Sequence, residues 1–317
     1  AMALRPMTCP FQYQIYKNGL KSYRDLPCRY SETATEFRNE ASGEMHGLIR
    51  IRQFTLSDGH IVCTPEQVED EFKRCLDLSY YFLDCLGMRE DVTFRFSKRG
   101  LNKTKYIDND KAWNETEALM KKILDDIGIE YVEADDEAAF YGPKLDVQSR
   151  NVYGKEDTII TIQLDFAAAH SFDMMYIDEN GEKQYPFVIH RSSIGCYERT
   201  LAMLIEKYAG AFPFWICPVQ VKVLSLTDRT AEYAKKLVDE LRAAGLRAEA
   251  DVRNEKIGYK IREAQLDKIP YMFVVGDKEA EAGTVSVRSR SEGDLGVMDV
   301  KEIIARLAEE DRTKKVK

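Results

Sequence analysis

The sequence lacks several features that mark whole classes of protein. Its 317 residues contain no apolar run long enough to cross a bilayer and no visible signal-peptide pattern, so we expect no membrane partner. A disulfide framework is also missing, because the seven cysteines are odd in number and scattered. These absences are typical of a cytoplasmic protein in a reducing compartment.

An overall excess of positive charge is missing too. The net charge of −8 argues against DNA and, at first sight, against any nucleic acid. The charge is uneven, however: from Pro218 onward, 20 basic and 19 acidic residues give +1, which leaves −9 for the residues before Pro218. The later part of the chain therefore repels RNA less, although a local basic patch decides more than a total.

What is present describes a globular protein with room for two domains. Hydrophobic residues make up 44% and charged residues 32% of the chain. Capping and periodicity predict helices over 11–20, 64–87 and 110–128, and over 192–210 after a cap at Ser192 or Ser193. Strands are predicted over 28–40, 48–54, 92–96, 159–166 and 186–190.

After residue 216 the pattern changes to short alternating strands and helices. Strands are predicted over 219–226, 247–252, 271–275 and 284–290, and helices over 231–244, 255–266 and 300–308. Alternating units of this kind predict a small α/β domain with a mixed sheet.

The stretch from Arg38 to His60 combines arginines with an aromatic residue. If 48–54 is a strand, Arg50, Arg52 and Phe54 share one face, because strand side chains alternate. Guanidinium groups bind phosphate oxygens in a fork, and a phenyl ring stacks on a base, so this face suits a nucleotide. A solvated charged face on an ordinary hairpin fits the same pattern.

Two further positions are unusual on physical grounds. Gln163 interrupts an otherwise apolar strand, which requires either a partner for its amide or an edge-strand position. Gly195, in the first turn of the predicted helix, allows close approach of a ligand to the backbone. Arg199 lies one turn further on, near a helix N-terminus that favours anions.

Several separated motifs resemble one enzyme family. Phe37-Arg38-Asn39-Glu40 with Gly47-Leu48-Ile49-Arg50 and Phe54 resembles motif 2 of class II aminoacyl-tRNA synthetases. The segments 6–10 (PMTCP), 58–60 (DGH), 190–195 (HRSSIG), 254–258 (NEKIG) and 270–272 (PYM) are similar to those of the threonyl-tRNA synthetases. The resemblance covers nearly the whole chain, in the family's order.

The resemblance implies a fold and a domain organisation. It implies an α+β catalytic domain on a mostly antiparallel sheet over residues 1–215, and an anticodon-binding α/β domain over 216–317. We expect motif 1 and the family's N-terminal domains to be absent, as in a fragment or a shortened paralogue. Family members are homodimers, and the pattern leaves open whether this chain dimerises.

The resemblance also assigns roles in ATP binding. Arg38 would hold the α-phosphate and the amino-acid carboxylate, and Arg50 and His46 the outer phosphates, with Mg²⁺ accompanying ATP. Arg199, as the motif 3 arginine, would enclose the adenine together with Phe54. Glu40 would bind near the purine edge and Gln163 near the ribose or phosphates. Of these, Arg38, Arg50 and Arg199 are the implied catalytic residues.

Three residues that are distant in sequence match the zinc ligands of the family: Cys9, His60 and His190. Their spacing alone says nothing, but three Cys and His ligands leave one coordination position open, as in a working zinc site. The resemblance implies one Zn²⁺ per chain, bound to the amino and hydroxyl groups of threonine. Asp58, Tyr141 and Met7 would complete the threonine site.

The second domain carries the implied anticodon contacts. Asn254, Arg262, Glu279 and Arg288 match base-reading positions, although each also suits a surface salt bridge. The resulting hypothesis is an ATP-dependent threonine–tRNA ligase acting on tRNA(Thr). The alternative is a truncated or non-catalytic synthetase-like protein that binds tRNA or mRNA. A freestanding activator of amino acids for a carrier protein is less compatible with the anticodon-binding pattern.

Overall fold

A seven-stranded sheet organises the first of two units in the computed structural model, which describes residues 2–102 and 104–316. This unit covers Ala1–Met203 and the second covers Leu204–Lys317. The strands of the first unit are β1 (Cys28–Phe37), β2 (Gln53–Cys63), β3 (Val92–Ser97), β4 (Tyr131–Ala134), β5 (Lys144–Arg150), β6 (Glu156–Asp165), the short pair β7 (Tyr176–Ile177) and β8 (Lys183–Gln184), and β9 (Phe187–Cys196).

The large sheet has the order β1-β2-β9-β6-β5-β3-β4 and is antiparallel except between β3 and β4. The mostly antiparallel sheet predicted for the first domain is therefore confirmed. Its helices are α1 (Cys9–Lys17), α2 (Val68–Leu86), α3 (Asp110–Ile127), α4 (Ala168–Ser171) and α5 (Tyr197–Tyr208). A short 3-10 turn, Pro65–Gln67, leads into α2, and the Thr64 N–H donates to Gln67 Oε1 over 3.0 Å.

The two faces of this sheet have different surroundings. On one face, Phe72 and Leu76 of α2 and Met120 and Leu124 of α3 pack against Ile61, Leu145, Ile162 and Ile189. Because strand side chains alternate, the neighbours of these core residues, including Asp58, His60, Gln163 and His190, point to the opposite face. The core thus fixes which side chains can meet on the other side.

The second unit contains the mixed sheet predicted for it. Its strands are β10 (Val221–Ser225), β11 (Ala248–Asp251), β12 (Tyr271–Val275), β13 (Thr284–Ser289) and β14 (Gly293–Asp299), in the order β11-β10-β12-β13-β14. Its helices are α6 (Ala231–Ala243), α7 (Ile257–Leu266), α8 (Asp277–Ala282) and α9 (Val300–Thr313). The sequence patterns missed α8 and β14. Within the described ranges, no helix combines the length and hydrophobicity needed to span a membrane.

The predicted strand over 48–54 is wrong up to residue 52. The His46 carbonyl accepts from the N–H groups of Ile49 and Arg50 over 2.9 and 3.2 Å, so this segment is a turn and β2 begins at Gln53. Gly47 has φ +49°, which glycine adopts without strain, and this favours the turn over the strand. Strand pairing resumes where the Arg38 N–H donates to the Arg52 carbonyl over 2.9 Å.

The predicted helix start at Ser192 or Ser193 is also wrong, because β9 continues to Cys196. The continuation pairs Leu56 with Cys196 and Ser57 with Gly195, after a bulge next to Asp58. Gly195 has φ +70°, and a Cβ on it would lie 1.9 Å from the Ile159 carbonyl oxygen. Strand pairing and this close approach therefore outweigh the helical pattern.

We expect Gly195→Ala to destabilise the first unit by roughly 2–5 kcal/mol, from left-handed strain and overpacking. Gly154→Ala is the matched control, because Gly154 has φ +77° but no atom within 4 Å of the added Cβ. Urea unfolding followed by the fluorescence of Trp113, in a Trp215→Phe background, reports on the first unit alone, since these are the two tryptophans of the chain. Equal unfolding midpoints for the two glycine variants would contradict the steric account.

Candidate active site and metal centre

A cavity of about 650 Å³ opens on the sheet face opposite α2 and α3. It is lined by most of the residues that the sequence assigned to ATP, threonine and metal: Met7, Cys9, Arg38, Glu40, Arg50, Phe54, Asp58, Tyr141, Gln163, His190 and Arg199. Two of the assigned residues are not among the lining residues. His60 is fully buried next to His190, and His46 is exposed on the turn before Arg50.

Strand register brings the distant candidate residues together. His60 on β2 lies directly opposite His190 on β9, which in turn lies opposite Gln163 on β6. β6 is an interior strand between β9 and β5, so Gln163 does not occupy an edge position. Three neighbouring strands therefore present one row of polar side chains to the cavity side.

Four potential metal ligands converge at one end of this row. Single ligand atoms of Cys9, Asp58, His60 and His190 all lie within 4.8 Å of one another. His190 Nδ1 is 3.5 Å from Cys9 Sγ and 2.9 Å from His60 Nε2, and His190 Nε2 is 2.9 Å from Asp58 Oδ1. The helix α1 supplies Cys9, and the facing strands supply the other three residues.

Hydrogen bonds fix the orientation of both imidazoles. Gln12, one helical turn after Cys9, places its Oε1 2.8 Å from His60 Nδ1, so a proton on Nδ1 leaves the Nε2 lone pair facing His190. Burial, together with the nearby His190, lowers the pKa of His60 to about 3, so this ring is neutral. A neutral imidazole with a free Nε2 lone pair is a metal ligand.

Asp58 is a buried carboxylate that contacts the Thr8 hydroxyl and the His190 ring. Burial favours a raised pKa, but the neighbouring His190 and His60 and the Thr8 hydroxyl outweigh it and lower the pKa of Asp58 to about 2. Burial likewise opposes a charged His190, yet the Asp58 carboxylate holds the pKa of His190 well above its ordinary value. Asp58 thus keeps a proton on His190 Nε2 and leaves Nδ1 directed at Cys9 and His60.

The donor set fits a zinc ion. Zinc prefers thiolate sulfur and imidazole nitrogen as ligands, and here a thiol sulfur and two imidazole nitrogens face one another. His60 Nε2 and His190 Nδ1 lie close enough to share one proton. Cys9, His60 and His190 would hold the ion, while Gln12 and Asp58 orient the two histidines.

Arg38 also lines the cavity and is held by contacts on different sides of its guanidinium. Nη2 donates to Glu36 Oε2 over 3.1 Å, Nε donates to the Pro6 carbonyl over 3.3 Å, and Cζ lies 5.0 Å from the centre of the Phe54 ring. None of these contacts uses Nη1. The side chain is half exposed, so its remaining donors are available to an anion in the cavity.

Arg50 and Arg199 are each engaged by the protein. Arg50 forms a two-pronged ion pair with Glu40, with Nε and Nη2 2.9 and 2.8 Å from Oε2. Arg199 donates to the carbonyls of Ile49 and Thr158 over 3.1 and 2.8 Å. These carbonyls fix the guanidinium of Arg199 in place.

Two further groups on the β6 side of the cavity are constrained by burial. The Tyr141 hydroxyl donates to Gln163 Oε1, and burial holds the pKa of Tyr141 well above its ordinary value, so it remains a neutral donor. Burial raises the pKa of Asp165 to about 6. Its Oδ1 accepts hydrogen bonds from the N–H groups of Ala168 and Ala167, which favour the charged form and limit this rise.

The four residues assigned to the anticodon occupy separate positions in the second unit. Asn254 and Arg262 are both exposed: Asn254 lies in the bend before α7, and Arg262 lies within α7. Glu279 Oε2 accepts the Gly276 N–H at the start of α8 over 2.9 Å, and Arg288 pairs with Asp294 over 3.1 Å. The hydrogen bonds and ion pairs of the described residues do not connect these four side chains to one another.

The sequence patterns missed three residues of the site. Gln12 lies one turn from Cys9 on α1, but the predicted helix began at residue 11 and left Cys9 outside it. Thr8, which is fully buried and donates to Asp58, gave no signal beyond its position next to Cys9. Glu36 gave none, because it belongs to a strand whose glutamates look like a solvated face.

Comparison with known proteins matches both units. The tRNA synthetase class II core domain (G, H, P, S and T) matches residues 1–208, and an anticodon binding domain matches residues 216–310. The threonine--tRNA ligase of Clostridium perfringens (strain SM101 / Type A) is 64% identical over 306 residues, which cover 96% of this chain and 48% of that protein. That of Listeria welshimeri is 47% identical over 311 residues, covering 98% and 48%. The chain thus spans about half the length of the curated relatives it matches.

Solved structures agree with this match. The RNA binding domain of threonyl-tRNA synthetase from Cryptosporidium parvum Iowa II superposes with a TM-score of 0.89 at 34% identity, over 96% of this chain and 76% of that one. The putative threonyl-tRNA synthetase ThrRS-1 from Aeropyrum pernix has a TM-score of 0.81 over 98% and 75%, and at 24% identity it supports the fold alone.

The chain is a class II aminoacyl-tRNA synthetase core followed by an anticodon-binding domain. Within that class, the chain belongs to the threonyl-tRNA synthetase family. The family and the fold class inferred from the motifs are therefore confirmed.

Proposed function

We propose that this chain activates threonine with ATP and transfers the threonyl group to the 3′ end of tRNA(Thr). The observation that supports this most is that Cys9 and His190, which form a ligand cluster with the buried His60, line the same cavity as Arg38, Arg50 and Arg199. The proposed amino-acid recognition site thus adjoins a group of arginines that suits a polyphosphate.

In the proposed mechanism the protein aligns two anions and stabilises the charge that develops between them. The threonine carboxylate oxygen attacks the α-phosphorus of ATP, the bond to the bridging oxygen breaks, and pyrophosphate leaves with Mg²⁺. Arg38 contributes free donors to the α-phosphate. Arg50 releases the Glu40 carboxylate and binds the outer phosphates instead, with His46 nearby on the turn. Preorganised donors of this kind lower the barrier without a covalent enzyme intermediate.

The remaining cavity residues bind the nucleoside. Phe54 and Arg199 bound the adenine site, where Arg199 is already anchored by two carbonyls, and Glu40 and Gln163 supply polar contacts to the purine and to the ribose or phosphates.

Threonine recognition in this proposal rests on the cluster of Cys9, His60 and His190. A bound zinc ion would supply a Lewis acid for the amino and hydroxyl groups of threonine, which valine cannot match. Asp58 is an ionised acceptor at the cluster, Tyr141 is a neutral donor held by Gln163, and Met7 lines the same wall. Shape alone separates isosteric side chains by only about 100-fold, whereas a site that requires a hydroxyl reaches about 10⁴-fold.

We assign residues 1–215 to catalysis and 216–317 to binding of the anticodon, with Asn254, Arg262, Glu279 and Arg288 as base-reading candidates. Unstacked bases are read by amide, guanidinium and carboxylate groups, and these four residues supply all three.

Threonine-dependent exchange of pyrophosphate with ATP tests the activation step. We expect exchange with threonine to exceed exchange with valine by about 10⁴-fold, because the valine side chain has no hydroxyl. Charging of tRNA(Thr), measured with labelled threonine, then tests the transfer step. Binding of tRNA without any threonine-dependent exchange would favour the non-catalytic alternative and overturn the proposal.

A further inference from the structure

Glu36 is a buried carboxyl group that the proposed mechanism does not use. It lies on β1 opposite Phe54 of β2, lines the cavity and has no exposed surface. Its Oε1 is buried and has no hydrogen-bond partner among the described residues. An acidic group at this position is unexpected, since the cavity would receive negatively charged phosphates.

The only ion pair described for Glu36 is with Arg38, whose Nη2 is 3.1 Å from Oε2. That contact is one of three that orient the guanidinium, together with the Pro6 carbonyl at Nε and the Phe54 ring. The plane and the rotation of the group are therefore set from three directions, while Nη1 is left for a ligand.

Stability does not account for Glu36. A buried carboxylate with an unsatisfied oxygen costs desolvation energy that a single hydrogen bond does not recover. Burial accordingly raises the pKa of Glu36 despite the neighbouring Arg38. Arg38 is half exposed and could be solvated without Glu36, so the pair is not needed to satisfy Arg38.

We propose that Glu36 is a positioning residue that holds the Arg38 guanidinium in the orientation that receives the α-phosphate. The inference rests on the proposed function, because it acts through the role of Arg38 in activation. Glu36 does not touch substrate; it acts by limiting the orientations of a long, half-exposed side chain. Misplacement of a reacting group by about 1 Å can cost about 100-fold in rate.

Two substitutions separate positioning from structure. Glu36→Met keeps the volume but removes the acceptor, and we expect it to lower kcat for threonine-dependent exchange by about 100-fold, with KM for threonine and ATP within about threefold. Its melting temperature should be unchanged or raised by up to about 4 °C, because an unsatisfied buried acceptor is gone. Glu36→Gln retains an acceptor oxygen and should recover kcat to within about tenfold of the original chain.

A double substitution tests whether Glu36 acts through Arg38. In an Arg38→Lys background, Glu36→Met should lower kcat by less than about threefold, because the fork to be positioned is already absent. The inference would be overturned if Glu36→Met kept full kcat or lowered the melting temperature by more than about 4 °C. A raised KM for threonine in Glu36→Gln would also overturn it, as would an undiminished effect of Glu36→Met in the Arg38→Lys background. If the unsubstituted chain shows no exchange, the proposed function fails instead.

Discussion

Replacing Arg38 with glutamine is expected to lower kcat for threonine-dependent exchange by about 10³-fold, which corresponds to about 4 kcal/mol of transition-state stabilisation. The expected loss is large because Arg38 is the residue proposed to bind the α-phosphate, where charge develops in the transition state, and its described hydrogen bonds leave Nη1 unused. Arg38→Lys should recover only part of the rate, since lysine keeps the charge but not the planar fork. Initial rates over a range of ATP and threonine concentrations separate kcat from KM.

Arg52→Gln is the matched control for this experiment. Arg52 is a neighbouring exposed arginine that donates to the Glu40 carbonyl, and it is not among the described residues that line the cavity. We expect its exchange rate to remain within about threefold of the original chain, as for most surface substitutions. An Arg38→Gln variant that keeps more than a tenth of the rate would remove Arg38 from the catalytic assignment.

Loss of the metal cluster is expected to have a comparable effect through a different route. Cys9→Ala should reduce bound zinc from about one per chain to near zero, and exchange with threonine should fall by about 10³-fold, the size of a Lewis-acid contribution of several kcal/mol. Discrimination against valine should fall with it, to the roughly 100-fold that shape alone provides. Elemental analysis and exchange assays with both amino acids measure the two effects on one preparation.

Cys28→Ala controls for the loss of a thiol. Cys28 is partly buried like Cys9, but it donates to the Asp25 carbonyl and does not belong to the ligand cluster. The control should retain both zinc and discrimination. A Cys9→Ala chain without zinc that still prefers threonine over valine by about 10⁴-fold would show that the hydroxyl is recognised by other groups, with Asp58 the first to examine.

Local chemistry made the helices readable from the sequence. α2 begins after the Thr64-Pro65-Glu66-Gln67 signal and ends at Gly87, and α3 ends at Gly128, because caps and periodicity act over a few neighbouring residues. The turn before Arg50 and the extension of β9 to Cys196 were not readable. The turn before Arg50 is local, but the alternation of arginine and isoleucine masked the turn that Gly47 allows. The extension of β9 depends on pairing with β2, far away in the sequence, which overrides helical spacing.

The candidate site, too, could be predicted from the sequence only in part. The resemblance supplied Cys9, His60 and His190, but their proximity comes from register between β2 and β9, which no local pattern encodes. Glu36 is the site residue that the sequence indicated least. Its burial beside Phe54 and Arg38 follows from the fold, while the alternating glutamates of β1 suggest a solvated face. Gln12 depends on where the first helix begins: helical spacing places it near the cluster only because α1 starts at Cys9 and not at residue 11.

The ion pair between Glu40 and Arg50 gives the proposed phosphate site its own internal counterion. A simple anion such as chloride or sulfate that reaches Arg50 would have to displace a carboxylate held through two contacts, and it would gain little in the exchange. If the proposed function holds, a triphosphate would meet Arg38 and Arg50 at once, and its second contact would form at high effective concentration. The proposed site would therefore favour a chelating anion over a simple one.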